Sequence, residues 1–328
     1  MNAKIAAPFI HSKTNPRLLI LDVLLACLPL IGMGVFFYGP RVLAVCAVSA
    51  ASAVLAEFFI CLALRRRRSV GDLTALLTGL FVALLCPPSV PYLLPAVGSV
   101  FAILVVKFPF GGRGRNLFNP AAAGVCFLIL SAPGIMFRYP DVTAGRLPLW
   151  GEAAAAPAAS LTALLRNGGA LPTGAFELLV GRFSGPTGNA FALVVVACGL
   201  YLITRRVLPW QTAAGFLLPC ILIAAIFPRG SGALISVFLE LCSGSLLFCA
   251  FFLAADPSSS AKTTWGRFFF GLLAGAATML FRYSGVYEQG APFAILLANA
   301  FAPVLDSAAK PWRLFTRRTQ DQGVGDRA

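Results

Sequence analysis

Ten apolar runs, separated by short polar or proline-rich breaks, set the organisation of this 328-residue chain. They fall at roughly 17 to 37, 42 to 64, 73 to 86, 91 to 107, 119 to 132, 189 to 204, 211 to 227, 235 to 255, 267 to 282 and 292 to 306. A helix rises about 1.5 Å per residue, so runs near 20 residues match the hydrocarbon thickness of a bilayer. The pattern predicts an all-α integral membrane fold of about ten transmembrane helices. The third and eighth runs share a form: Thr78 to Cys86 stops at Pro87, Pro88 and Ser89, and Ser243 to Ala255 stops at Asp256, Pro257 and Ser258. Each is third in a set of five. Five is odd, so the second set enters the membrane from the opposite side, giving two inverted five-helix repeats over residues 17–132 and 189–306. The alternative is that short, proline-ended spans recur independently, since neighbouring helices can re-satisfy the broken backbone.

Between the halves, residues 133–188 form the longest hydrophilic segment, long enough to be functional rather than a plain connector. Residues 1–16 are polar and mixed, and no small-residue cleavage site follows the first run, so that run is expected to remain as an uncleaved anchor. Residues 307–328 form a basic tail suited to anionic lipid.

Composition agrees with this pattern: 59% of residues are hydrophobic and 12% charged, against about 45 to 50% apolar in globular proteins. The net charge of +14 would suit nucleic acid, but its placement follows topology instead. With the N-terminus in the cytoplasm, 19 of the 26 Lys and Arg residues lie on that side, including Lys4, Lys13, Arg17, Arg65 to Arg68, Lys107, Arg113, Arg115, Arg205 and Arg206. Only Arg41, Arg138, Arg146, Arg166, Arg182, Arg229 and Arg282 lie opposite, so the positive-inside rule puts both termini in the cytoplasm and residues 133–188 outside. The partner this implies is a lipid bilayer, with no nucleic acid.

Candidate chemistry is sparse. All nine cysteines lie in or beside the runs without a CxxC pair, and read as packing residues. His11 is the only histidine, which disfavours a His-based metal site or Ser-His catalysis, and no metal is expected. Asp22, Glu57 and Glu240 fall within runs, where a carboxylate is costly and is a functional candidate by default. Asp22 follows Arg17 by five residues, which suggests an interfacial ion pair, and Glu240 reads as interfacial near the outer end of its run. Glu57 is about 12 Å from Arg65 along a helix. It is either a relay carboxylate or a polar contact between helices. Glu57 and Asp22 are the ion-path candidates.

The most specific stretch runs from Phe110 through Gly111-Gly112-Arg113-Gly114-Arg115-Asn116-Leu117-Phe118-Asn119-Pro120 to Gly124. Asn119 is placed to cap a helix opened by Pro120, and Ala121 to Gly124 allow close helix approach. It is no dinucleotide fingerprint, because it follows a membrane run and not a strand. This loop resembles the GG-x-G-x-NxFNPA loop of the RnfD and NqrB family, membrane subunits of the Rnf and Nqr complexes. Pro8 to Ser12, Leu21 to Leu24, Gly71 to Gly79, Pro87-Pro88, Gly98 to Ile103 and Ala255-Asp256-Pro257 resemble the same family in order. The resemblance implies a ten-span subunit of an ion-translocating, membrane-bound redox complex in the bacterial inner membrane. It also implies a urea-transporter-like fold and other Rnf/Nqr-type subunits as partners.

In that family a flavin mononucleotide is joined by a phosphoester bond to a threonine in an outer motif like D-x-x-[ST]-G-A-T-P-L. Here Asp141, Gly145, Pro148 and Leu149 fit, but Ala144 and Arg146 depart from it and Leu147 takes the acceptor's place. Leucine has no hydroxyl, so covalent FMN is not expected there. Thr173-Gly174-Ala175-Phe176 echoes the motif with Phe176 at the acceptor position. A second family stretch, G-S-x-G-E-T-S, has its counterpart at Gly185-Pro186-Thr187-Gly188-Asn189-Ala190-Phe191, without the acidic residue or the hydroxyls at their family positions. Asp141, Gly145, Gly185 and Gly188 are the cofactor-side candidates, with FMN or riboflavin held non-covalently if at all. Thr143 and Thr187 are the nearby hydroxyls. Three readings stay open: an electron-carrying subunit, an ion-conducting subunit whose redox carriers sit on partners, or a stand-alone small-solute permease with the same fold.

Overall fold

The computed structural model describes residues 16–65, 72–110, 116–142, 145–151, 157–158, 160–166, 183–189, 191–229, 232–285 and 288–309. The helices in the apolar runs are α1 (Pro16–Tyr38), α2 (Arg41–Ala63), α3 (Thr74–Leu85), α4 (Leu93–Lys107), α5 (Pro120–Ser131), α6 (Ala192–Thr204), α7 (Trp210–Ile226), α8 (Ala233–Cys242), α9 (Leu246–Leu253), α10 (Thr264–Ser284) and α11 (Ala291–Ala308), and two short α-helices, Pro133–Met136 and Leu161–Arg166, lie between α5 and α6. Among the described residues, α1, α2, α10 and α11 are each long and apolar enough to cross a membrane, and α8 with α9 makes a fifth candidate. The shorter apolar helices α3, α4, α5, α6 and α7 occupy the remaining runs. In the outer segment, Tyr139–Pro140 pairs antiparallel with Pro157–Ala158.

Local chemistry explains several boundaries. Asn119 Oδ1 accepts from Ala122 N at 3.1 Å and Pro120 opens α5, as the sequence indicates. Thr263 Oγ1 caps α10 by accepting from Gly266 N, and Gly285 ends that helix in the left-handed region. Gly271 and Gly275, four apart on α10, bring it against the backbone of α7 at Thr212, Gly215 and Phe216, where a Cβ would collide. Ser49 Oγ donates to Gly79 O at 2.6 Å and shares a 2.6 Å hydrogen bond with Ser99, joining α2, α3 and α4.

The eighth apolar run departs from expectation. It is not one straight helix: α8 and α9 meet at a 68° bend. Gly244 has φ +59°, Ser243 is extended, and the Arg282 guanidinium of α10 takes over the freed carbonyls. It donates to Glu240 O at 2.8 Å and to Ser243 O at 2.6 Å. A break inside a membrane-depth helix survives only where protein groups satisfy its backbone.

The core lies on the seam between α3 and α9. Phe81 meets Phe248 and Phe252 edge-on, with ring centroids 5.6 and 5.9 Å apart, and Phe248 stacks on Phe252 at 4.8 Å. Large apolar side chains such as Phe36, Leu234 and Trp265 are exposed on the outside, the inverse of a water-soluble surface. Two faces follow from α1: the end bearing Arg17, and the end where Tyr38 and Arg41 lie.

Candidate functional site

A cavity of about 710 Å³ opens among α1, α3, α4, α5 and α9 at the Arg17 face. Arg17, Asp72, Thr74, Lys107, Asn119 and Asp256 supply its polar lining, and Phe81 and Phe252 belong to its apolar wall. The glycine and asparagine loop borders it. Residues 111–115 of that loop lie outside the described residues, but Asn119 is fully engaged: Nδ2 donates to Leu253 O at 3.1 Å, fastening the start of α5 to the end of α9. Asn299, with its amide oriented to suit its neighbours, donates to Ser259 O and accepts from Asn119 N. Gly124 sits where a Cβ would press on Gly98 O, which accounts for the small residues of this stretch.

Lys107 reads from sequence only as a cytoplasmic charge. It is buried, and its Nζ donates to Glu57 Oε1 at 2.9 Å and to Thr74 Oγ1 at 2.7 Å. Both side chains are nearly inaccessible, 3% and 2% exposed, so this is a desolvated pair and not an interfacial one. The signal for it is a lysine directly ending Val105-Val106; its partner, 50 positions earlier, is beyond local pattern. The last turn of α4 is a π-helix, Ala102–Lys107, which shifts where Lys107 emerges.

Asp22 forms an ion pair with Arg205 at 3.2 Å, a partner that the sequence does not suggest. This pair is partly solvated, and Asp22 raises the Arg205 guanidinium pKa above its ordinary value through hydrogen bonding and charge. Glu240 is enclosed by protein. It is 1% exposed and sits between Arg282, at 3.1 Å from Oε2, and Arg229, at 2.9 Å from Oε1. Neither arginine stands out in the sequence, because one follows the seventh run and the other ends the ninth.

The flavin-like outer stretch docks at the Arg41 face. Leu147 N donates to Tyr38 O at 3.0 Å, and Arg41 donates to Pro148 O at 3.0 Å and Gly151 O at 3.1 Å. The Tyr92 hydroxyl donates to Leu149 O, and Arg41 lies over the Tyr92 ring. The Leu147 side chain is 5% exposed and packs into the main apolar core. The backbone of this stretch is therefore anchored to the Arg41 face while the Leu147 side chain fills apolar space. Gly145 has φ +94° with open space where a Cβ would be, and Asp141 is half-buried within electrostatic range of Tyr38. Thr143, Ala144 and Thr173 to Phe176 lie outside the described residues.

The second stretch joins the end of α3 to the α8–α9 unit. Thr187 Oγ donates to Cys86 O at 2.9 Å and is buried, so that hydroxyl is committed to the end of α3. Gly188 packs where a Cβ would meet Leu84 at 2.8 Å and the Phe248 ring, and Gly185 rests near the Phe183 ring. Asn189 Oδ1 accepts from Phe248 N at 3.3 Å, and its Nδ2 donates to Cys242 O and Gly244 O. Gly188 thus lies on the seam between α3 and α9, apart from Asp22 at the other face. All nine cysteines are free and buried, and among the described residues no group of three His, Cys, Asp or Glu side chains is arranged to hold a metal ion.

Comparison with known proteins gives a consistent result. The model of the NQR2, RnfD, RnfE family matches residues 4–314. The chain is similar to the D subunit of the ion-translocating oxidoreductase complex of Actinobacillus succinogenes, 30% identical across 93% of this chain and 96% of that protein. It is similar to the D subunit of the Na(+)-translocating ferredoxin:NAD(+) oxidoreductase complex of Acetobacterium woodii, 31% identical across 93% and 92%. It is also similar to the D subunit of the proton-translocating ferredoxin:NAD(+) oxidoreductase complex of Clostridium ljungdahlii, 30% identical across 95% and 96%.

Proposed function

We propose, from the premise that the chain belongs to the NQR2, RnfD, RnfE family, that it is a multi-pass membrane subunit of an Rnf/Nqr-type complex that couples electron transfer to translocation of Na+ or H+. Its partners are the other subunits of that complex, in a bacterial inner membrane. The relatives named above are all complex subunits, which favours this reading over a stand-alone permease. The Arg17 face is assigned to the cytoplasm from the distribution of basic residues.

The observation that carries the ion-path reading is the buried Lys107–Glu57 pair on the wall side of the cavity. Two buried charges persist at a desolvation cost that their attraction offsets only with good geometry. A lysine is a compact charge on a flexible stem, so Lys107 can release Glu57 to a transported cation more readily than an arginine fork would. Coupling follows if electron passage changes the relative free energy of two conformations that give Glu57 different access.

The inverted repeat and the urea-transporter-like architecture belong to the same reading. It is supported by the bent α8–α9 unit standing in the place of α3 in the second half, and by the Phe81 to Phe248 contact between them. For the cofactor, the buried apolar Leu147 does not fit a phosphoester to FMN. The 710 Å³ cavity, within the range of ligand pockets at about 300 to 1,000 Å³, fits a non-covalent flavin: Phe81 and Phe252 as the apolar wall, Arg17, Lys107 and Asn119 as the polar rim. A flavin bound there would supply one-electron transfer. The test is native purification with partners identified and the visible spectrum recorded, followed by denaturing electrophoresis. Co-purification with redox subunits and no fluorescent band on this chain are expected. A homogeneous, colourless oligomer that passes a small solute would overturn the complex-subunit reading, and a fluorescent band would overturn the non-covalent one.

A further inference from the structure

The cavity stops at Phe81 and Phe252, and beyond those rings lies Phe248. Phe248 N donates to Asn189 Oδ1, and Asn189 donates in turn to the carbonyls of Cys242 and Gly244 at the α8–α9 bend. That bend is filled by Arg282, which reaches Glu240. A continuous route of polar groups therefore leads from the aromatic septum to a buried carboxylate in the half of the molecule nearer the Arg41 face.

The two arginines hold Glu240 differently. Arg282 is sealed, 0% exposed along its side chain, and is fixed by hydrogen bonds to Glu240 O, Ser243 Oγ and Ser243 O as well as to the carboxylate. Arg229 is 17% exposed, and its Nε and Nη2 make no hydrogen bond. It faces Glu240 Oε1 as a charge and lies 3.7 Å over the Tyr283 ring, outside the bend. Withdrawing Arg229 would break no aligned hydrogen bond to Glu240, and the ring face would still hold the guanidinium. Glu288 is coupled electrostatically to Arg166 and Arg282, so Arg166, Arg229, Arg282, Glu240 and Glu288 form one cluster of charges. A monovalent cation in place of Arg229 keeps the net charge of that cluster.

We propose that Glu240 is the cation-binding carboxylate of the outer half of a path through this chain. Arg229 occupies it as an internal stand-in while Phe81, Phe248 and Phe252 close the route from the cavity. The ligand class is a monovalent cation, a proton or Na+. The inference rests on the ion-path reading above and adds its exit.

The test uses the whole complex in sealed proteoliposomes, with Na+ and proton fluxes measured separately in the presence and absence of electron donor. Glu240→Gln should lower ions moved per electron at least tenfold, and Arg229→Gln should raise donor-independent leak of the transported ion at least tenfold. A wild-type ratio in Glu240→Gln, or a tight membrane in Arg229→Gln, overturns the outer site. Should Glu240→Gln fail to assemble, the Arg229→Gln leak decides alone, because that side chain is at the edge of the cluster. Glu57→Gln combined with Lys107→Met, which strands no buried ammonium, separates the path from its exit. Lost pumping there with wild-type behaviour in both outer variants leaves the path standing without this exit, whereas wild-type pumping in all three places the path outside this chain.

Discussion

Two buried carboxylates, Glu57 and Glu240, are neutralised in opposite ways. Glu57 pairs with Lys107, and that lysine also lines an open cavity. Glu240 takes two arginines at a bend closed from that cavity by three phenylalanine rings. The lysine adds a hydrogen bond to Thr74, whereas Arg282 is also the backbone prop of the α8–α9 break. Burial of a charge pair therefore marks no single role. Lys107 borders the cavity, whereas at Glu240 Arg282 props the backbone and Arg229 sits at the edge of the cluster.

This contrast can be broken experimentally, beginning where the effect is largest. Arg282→Met removes the groups that satisfy Glu240 O and Ser243 O and leaves the bend with unpaired carbonyls, so loss of more than about 4 kcal/mol is expected; accumulation and thermal unfolding of the purified complex would read it. Glu57→Gln strands the Lys107 ammonium and should cost about 3 to 5 kcal/mol by the same assay, while the double variant Glu57→Gln with Lys107→Met should recover most of it. Equal instability of single and double variants would mean that Glu57 is held chiefly by contacts other than Lys107.

A smaller, pH-dependent effect belongs to Glu288, in the turn before α11. Burial raises its carboxyl pKa above the ordinary 4.5, opposed by the Ser160 hydroxyl and the charges of Arg166 and Arg282. A raised acid pKa means the folded state holds the proton more tightly. Its stabilising contribution is therefore complete below pH 4.5 and is lost as pH rises through the raised value. Hydrogen exchange in the α10–α11 turn should accelerate over that window in the wild type and stay flat in Glu288→Gln. The smallest effect is expected from Asp22→Asn, whose partner Arg205 is largely exposed, so that salt screening already removes most of the interaction. A thermal shift that persists at high salt would contradict that ranking.

What sequence reveals about these regions follows from range. The apolar runs match the helices to within a few residues, and the Asn119–Pro120 helix start is legible because cap, proline and first turn are adjacent in the chain. Glu57–Lys107, Asp22–Arg205 and Glu240–Arg282 are not legible, with partners 50, 183 and 42 positions apart. The bend at Gly244 shows in sequence only as small residues within an apolar run, because the side chain that stabilises it comes from another helix.

The most direct test of the central claim is the number of ions moved per electron by the whole complex carrying Glu57→Gln together with Lys107→Met. This pair keeps the buried site neutral, so folding and electron transfer should be retained while the ion-to-electron ratio falls at least tenfold. A wild-type ratio in that double variant would contradict the claim that the path runs through this chain at Glu57.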